Sequence, residues 1–295
     1  MTDKTTAFDI TNVTGNPGGT SFLVATGGGT FLVDTGLSFS ADATAENLRA
    51  ALAGRGLDYI LLTHSHFDHA AGTPTIARAF PEAKVVASEY AAYVFTRPGA
   101  REMIRRLDVA AAKFVGAEVG EDTTSELRVD MVVAGGDTIS ANDTVVRVYN
   151  TPGHTNCSMS YYFEREDLFA GSESSGFMFG DIVWPSFMTS CRDSLAAIDL
   201  IEKLAPCHLL LPHSGLLSGE GAKAFPAHIR RETREKAEFI LSRHHSGMDE
   251  DSIVRDFTRE YYDGVIRATG MQTKESFVAN AEALIPRLIA ESMEV

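Results

Sequence analysis

The chain has few cysteines and lacks long apolar runs. Its three cysteines, Cys157, Cys191 and Cys207, are odd in number, widely spaced and outside any CxxC pair. This spacing argues against a disulfide framework and against a cysteine zinc site, and reduced thiols fit a cytoplasmic protein. No stretch approaches the roughly 20 apolar residues that span a bilayer. No apolar run follows the first lysine, so we expect no signal peptide and a cytoplasmic location.

Cationic residues are also scarce. The chain has 26 Lys and Arg against 40 Asp and Glu, a formal net charge of −14. This balance argues against binding to nucleic-acid phosphates, which depends on cationic side chains. The one basic run, residues 97–113, is interrupted by apolar residues at helical spacing and indicates a solvated helix face. We therefore expect no nucleic-acid partner, and the lack of a long apolar run argues against a membrane partner. The expected partner is a small-molecule substrate, and a homodimer remains open.

The apolar pattern divides the chain into two regions. In residues 1–225, predicted strands alternate with predicted helices, which favours a layered α/β domain. Residues 21–25 and 30–34 flank glycines and predict a hairpin, and residues 57–63 predict a buried strand. Residues 226–295 have no predicted strand. There, amphipathic patterns predict an all-helical C-terminal extension with helices over 227–245, 249–262 and 274–292.

Four potential metal ligands follow the predicted strand at 57–63: His64, His66, Asp68 and His69. Imidazole nitrogen and carboxylate oxygen are ligand types that zinc and related divalent metals prefer. In extended backbone, His64 and His66 point the same way and can converge on one ion. Asp68 and His69 come just past the turn and can face a second ion. The alternative is a histidine-rich surface loop that binds nothing specific.

Two other hydrolytic motifs are missing. The chain has no HExxH, which excludes the zincin arrangement, and no GxSxG, which excludes a serine nucleophile elbow.

The segment THSHFDHAAG, residues 63–72, resembles the signature loop of the metallo-β-lactamase superfamily. Three other segments are similar to that family in the same order: FLVDTG at 31–36, TPGHT at 151–155 and LPHSG at 211–215. The resemblance covers about residues 20–217. It implies an α/β fold, a four-layer αββα metallo-β-lactamase sandwich, here with a C-terminal helical extension.

The resemblance also implies a ligand set. His64, His66 and His154 would hold one ion, and Asp68, His69 and His213 would hold the other. The cofactors would be two divalent metal ions, zinc by preference, with iron or manganese as alternatives.

One position departs from the family, which usually has a bridging Asp after the strand that begins here at Leu168. This chain reads LFAGSESSG at 168–176. Alignment from Leu168 puts Ser172 at the bridging position, and alignment from Gly176 puts Glu173 there. We favour Glu173, because a carboxylate bridges two cations strongly and a neutral serine is a poor ligand.

The resemblance implies a metal-dependent hydrolase in which a metal-bound hydroxide attacks a carbonyl carbon. Asp68 would orient the hydroxide and pass a proton to the leaving group. The helical tail is similar to that of acyl-thioesterase members, which favours ester, thioester or lactone hydrolysis. Two alternatives remain: an iron-dependent redox enzyme similar to sulfur dioxygenases, and a non-catalytic, metal-containing regulatory protein. The apolar segment 176–187 predicts either a wall over the site or core packing.

Overall fold

The computed structural model describes residues 8–16, 20–270 and 272–293. The signal-peptide expectation rests on residues 1–10, and residues 1–7 lie outside the described range. Two compact units are formed, each from several chain segments. Among the described residues, the first comprises those up to 150, residues 157–172 and residues 206–223, and the second comprises residues 151–156, residues 173–205 and those from 224 onward. The predicted domain boundary between residues 225 and 226 stays a prediction.

The first sheet of the first unit has six strands among the described residues. In spatial order they are β1 (Asp9–Asn12), β2 (Phe22–Ala25), β3 (Thr30–Val33), β4 (Tyr59–Leu61), β5 (Lys84–Ser88) and β6 (Met131–Val133). Strands β1 to β3 pair antiparallel, and β3 to β6 pair parallel. The predicted hairpin is therefore present as β2 and β3. Its turn needs glycine, because a Cβ on Gly28 would lie 2.6 Å from the carbonyl oxygen of Ala141.

The second sheet also has six described strands, all from later parts of the chain. Its strands are β7 (Thr138–Ala141), β8 (Thr144–Asn150), β9 (Met159–Phe163), β10 (Leu168–Ala170), β13 (His208–Leu211) and β14 (Gly215–Ser218), in the spatial order β14-β13-β10-β9-β8-β7. Only the β10–β13 pair among them is parallel. Phe31 and Val33 of the first sheet join Val146, Tyr161 and Phe163 of the second in one buried cluster, so the two sheets pack face to face.

Helices cover the other face of the first sheet. They are α1 (Ala41–Leu52), α2 (Phe67–Ala70), α3 (Thr73–Ala79), α4 (Glu89–Thr96) and α5 (Pro98–Val115). Leu48 of α1, Ile76 of α3 and Phe95 of α4 are buried in a second cluster with Leu32 and Ile60 of the sheet. The burial of these apolar side chains supplies the main favourable contribution to packing the helices on the sheet.

The second unit is mostly helical. It contains the hairpin β11 (Phe177–Phe179) and β12 (Ile182–Trp184), then α6 (Cys191–Leu204), most of α7 (Glu220–His245), α8 (Glu250–Phe257) and α9 (Lys274–Met293). A π-helical segment, Thr258–Asp263, follows α8. Helix α7 begins earlier than predicted because it continues through Pro226. Among the described residues, no helix is long and apolar enough to cross a bilayer.

The apolar segment 176–187 contributes to the core of this second unit. Phe177, Trp184 and Phe187 are buried there with Ile240 and Phe257. For these three side chains the structure supports core packing, the second of the two interpretations offered by the sequence pattern.

Candidate metal centre

The histidine loop leaves the first sheet after β4 and enters α2. His66 precedes the first residue of α2, whereas Asp68 and His69 lie within it. The loop is held against the turn at residues 34–36. The amide of Gly72 donates to the carbonyl oxygen of Gly36 at 2.9 Å, and a Cβ on Gly72 would lie 2.3 Å from the carbonyl oxygen of Thr35. Glycine at 72 therefore allows the loop to approach the turn closely.

Asp34 is the buried acceptor that orients this loop. Its Oδ1 accepts the Thr63 amide at 2.7 Å, and its Oδ2 accepts the Thr63 hydroxyl at 2.8 Å. The same Oδ2 lies 2.8 Å from Nδ1 of His69. A carboxylate can only accept, so Nδ1 of His69 carries the proton and its Nε2 presents a lone pair. Carboxylate–histidine pairs of this kind set the ring orientation of metal-ligating histidines.

Thr63 orients His64 in a similar way. Its hydroxyl proton is donated to Asp34, and its oxygen lies 3.1 Å from Nδ1 of His64. The hydroxyl therefore accepts from Nδ1 of His64, which leaves Nε2 of that ring as the basic nitrogen. The ring of His66 lies beside that of His64, with centroids 4.7 Å apart.

Asp68, His69 and His213 form a cluster within the first unit. The Nε2 atoms of His69 and His213 each lie 3.7 Å from Oδ2 of Asp68. One potential ligand atom from each of the three residues lies within 4.8 Å of the others. His213 adopts a positive φ of 58°, an uncommon backbone conformation for a residue other than glycine. The donor set and its spacing fit a divalent metal ion.

The second unit carries the other two predicted ligands, His154 and Glu173. Nδ1 of His154 lies 2.9 Å from the carbonyl oxygen of Ser186, which can only accept, so Nε2 is again the basic nitrogen. That Nε2 lies 3.5 Å from Oε2 of Glu173. The Ser186 hydroxyl donates to the same Oε2 at 3.1 Å. Both His154 and Glu173 are buried, so these two atoms form a polar pair inside the unit.

Asp34, Thr63 and Ser186 have no role in the prediction from sequence, although all three orient predicted ligands. Asp34 lies in a segment that resembles the family, so a signal existed for it. Ser186 lies at the end of an apolar segment and has no comparable signal. Ser172, the alternative bridging residue, is buried, and its amide donates to the hydroxyl of Ser160 at 3.1 Å.

Two curated relatives are named as a hydrolase and a thioesterase. A hydroxyacylglutathione hydrolase of Acidiphilium cryptum is 32% identical over 156 residues, which are 53% of this chain and 49% of that protein. An atrochrysone carboxyl ACP thioesterase of Aspergillus fumigatus is 24% identical over 239 residues, which are 77% of this chain and 62% of that protein. The chain therefore spans only about half of the first relative and less than two thirds of the second.

Solved structures support the fold. The metallo-beta-lactamase family protein TTHA1429 of Thermus thermophilus superposes with a TM-score of 0.63 at 18% identity, covering 98% of this chain and 93% of that one. The ST1585 protein of Sulfolobus tokodaii gives a TM-score of 0.57 at 17% identity, covering 96% and 98%. The predicted mixed α/β fold, a metallo-β-lactamase sandwich with a C-terminal helical part, is confirmed.

The sequence model of the Metallo-beta-lactamase superfamily matches residues 14–207, which is more than half of the chain and includes most of the predicted ligands. Members of this superfamily are mostly hydrolases and typically bind metal ions. Together with the fold and the two groups of imidazole and carboxylate donors, this match establishes that the chain belongs to the metallo-β-lactamase superfamily.

Proposed function

We propose that the chain is a metal-dependent hydrolase that cleaves an ester or thioester bond of a small-molecule substrate. The observation that carries the proposal is the arrangement of Asp68, His69 and His213, with both Nε2 atoms 3.7 Å from one carboxylate oxygen. The hydrogen bond that Nδ1 of His69 donates to Asp34 adds to this, because it turns the basic nitrogen of that ring toward the cluster.

The proposed cofactors are two divalent ions, zinc by preference, with iron or manganese as alternatives. Following the family motifs, we assign Asp68, His69 and His213 to one ion. We assign His64, His66 and His154 to the other. The tautomers derived for His64, His69 and His154 support this assignment, since each leaves Nε2 able to bind a cation.

Glu173 is proposed as the bridging ligand. Its Oε2 lies 3.5 Å from Nε2 of the proposed ligand His154, so this carboxylate is near enough to share an ion with that ring. A neutral serine at 172 would add no charge between two cations. The carboxylate is favoured because a shared anion offsets the repulsion between the ions.

Bound divalent ions would lower the pKa of water and polarise a carbonyl oxygen. Within the chain, Asp68 is the carboxylate suited to handle protons there. Its side chain is 27% exposed, whereas that of Asp34 is 2% exposed and already accepts three hydrogen bonds. Asp68 would therefore orient the attacking water and deliver a proton to the leaving group, while Asp34 keeps His69 in place.

We infer the type of bond that is cleaved from the names of the two relatives. One is a hydroxyacylglutathione hydrolase and the other is an ACP thioesterase. Both names denote cleavage of an acyl group from sulfur. We therefore rank thioesters first, then esters and lactones. A helical C-terminal part is consistent with this ranking.

The test is a substrate panel with purified protein loaded with zinc, iron or manganese. The panel contains acyl-glutathione and acyl-CoA thioesters, aryl esters, lactones, phosphodiesters and a β-lactam. We expect the largest kcat/KM for a thioester and loss of activity after chelation, regained on adding metal back. Activity only on phosphodiesters would contradict the acyl assignment. Oxygen consumption with a sulfur substrate would support the iron-dependent redox alternative, and inactivity toward every class would favour the regulatory one.

A further inference from the structure

The C-terminal helix α9 contacts the loop that precedes α6 through two side chains. Nη1 of Arg287 donates to the carbonyl oxygen of Met188 at 2.9 Å. Glu291 accepts the hydroxyl of Ser190 at 2.6 Å. Residues four apart lie on the same face of a helix, so Arg287 and Glu291 hold this loop from one side.

Glu291 also binds the N-terminus of α6, where backbone amides lack partners within the helix. Its Oε2 accepts the amide of Cys191 at 3.0 Å and that of Arg192 at 3.3 Å. The next amide, that of Asp193, donates to the hydroxyl of Ser190 at 3.0 Å. A carboxylate at this end of a helix also interacts favourably with the helix dipole. Glu291 therefore fixes the first turn of α6.

The loop before this turn holds the backbone next to His154. The carbonyl oxygen of Gly153 accepts the amide of Thr189 at 2.8 Å, the hydroxyl of Thr189 at 3.0 Å and the amide of Ser190 at 3.1 Å. Gly153 has a φ of +127°, and a Cβ there would lie 2.3 Å from Oγ of Ser194 in α6. The position of residue 153 thus depends on α6 and on the loop that leads into it.

The same loop carries Ser186, which orients the ring of His154 through its carbonyl oxygen. Both the backbone before His154 and its Nδ1 are therefore held by residues 186–190. Those residues are in turn held by Arg287 and Glu291 of α9.

We propose that Glu291, assisted by Arg287, is a positioning residue for the metal ligand His154. It acts through Ser190 and the first turn of α6 and does not touch the ion. The inference rests on the proposed function, since it takes His154 as a ligand. By this proposal, the C-terminal end of α9 helps to position a metal ligand.

The test uses the full chain and the variant Glu291→Gln, with Glu282→Gln, an exposed carboxylate on the same helix, as the matched control. Zinc affinity is measured by competition with a chelator. We expect Glu291→Gln to weaken zinc binding by about tenfold, the lower end of the range for residues that support a ligand. The loss should persist in a His213→Ala background and vanish in a His154→Ala background, because only the second removes the ligand through which Glu291 acts.

Hydrogen exchange of the metal-free proteins supplies a second readout. In Glu291→Gln, and not in Glu282→Gln, the amides of residues 189–192 should exchange several-fold faster, because their acceptors are less firmly held. Unchanged exchange in a protein that binds zinc would overturn the positioning role alone, as would an equal zinc loss in the His154→Ala background. Faster exchange in a protein that binds no zinc would overturn the proposed function and the ligand role of His154 together.

Discussion

Replacing Asp34 by Asn tests whether the buried carboxylate sets the tautomer of His69. Asp34 is 1% exposed and accepts from the Thr63 amide, the Thr63 hydroxyl and Nδ1 of His69. Asparagine keeps the size and tolerates the positive φ of 57° at this position. It has one acceptor oxygen and one NH2 group, so the substitution changes hydrogen bonding with little change in shape.

The substitution should change which ring nitrogen of His69 carries the proton. If the oxygen of the new side-chain amide faces the Thr63 amide, its NH2 group faces the Thr63 hydroxyl and Nδ1 of His69. Nδ1 must then accept, and the proton moves to Nε2, which can no longer bind a cation. Loss of such a partner typically reduces metal affinity about 10–100-fold, or about 1.4–2.7 kcal/mol. Losing a hydrogen bond to a buried carboxylate should also cost about 1.5–3 kcal/mol of unfolding free energy.

Zinc affinity of Asp34→Asn is measured by chelator competition, and its stability by urea unfolding. The control is Asp58→Asn, because Oδ2 of Asp58 accepts the amide and the hydroxyl of Thr30 at 2.8 and 3.0 Å in the same unit but contacts no predicted ligand. We expect Asp58→Asn to change stability without changing zinc affinity. Wild-type zinc affinity in Asp34→Asn would refute the tautomer argument.

Three further predictions concern the ligands. Purified protein supplied with metal should contain about two divalent ions per chain by elemental analysis, and less than half an equivalent would contradict the two-metal assignment. His66→Ala should lower thioester hydrolysis by several orders of magnitude while circular dichroism shows an intact fold; unchanged turnover would exclude His66 as a ligand. Glu173→Gln should lower metal stoichiometry more than Ser172→Ala does, and the reverse order would favour the alignment that makes Ser172 the bridging residue.

The sequence predicts the first unit well where apolar runs are bounded by glycine. The hairpin at β2 and β3 and the strand β4 both follow from such runs, although β4 covers only Tyr59–Leu61 of the predicted 57–63. The amide of Leu62 still donates to the carbonyl oxygen of Val86, whereas the amide of Thr63 donates to the side chain of Asp34. Alternation and apolar content in the sequence indicate which residues are buried. They do not indicate the residue at which a strand stops bonding to the neighbouring strand and bonds to a side chain instead.

Some elements of the fold are not predicted from the sequence, and each has a physical reason. Strand β1 is mostly exposed and polar, so its sequence, DITN, lacks a strand pattern. Proline usually interrupts helices, so the sequence predicts that α7 begins after Pro226, but the helix continues through it. The division into two units draws residues 151–156 and 173–205 together with the C-terminal helices. Such long-range association leaves no local pattern from which it could be predicted.

The ligands and the residues that orient them differ in how far they can be predicted from sequence. A metal accepts few side-chain types, so histidine and aspartate at fixed spacing form a recognisable motif. An orienting partner need only accept a proton, and a carboxylate, a hydroxyl or a backbone carbonyl can each do so. Here these partners come from distant parts of the chain: Asp34 lies 35 residues before His69, and Ser186 lies 32 residues after His154. Variants far in sequence from every histidine should therefore alter metal affinity, and Asp34→Asn and Glu291→Gln are the two with the most direct contacts.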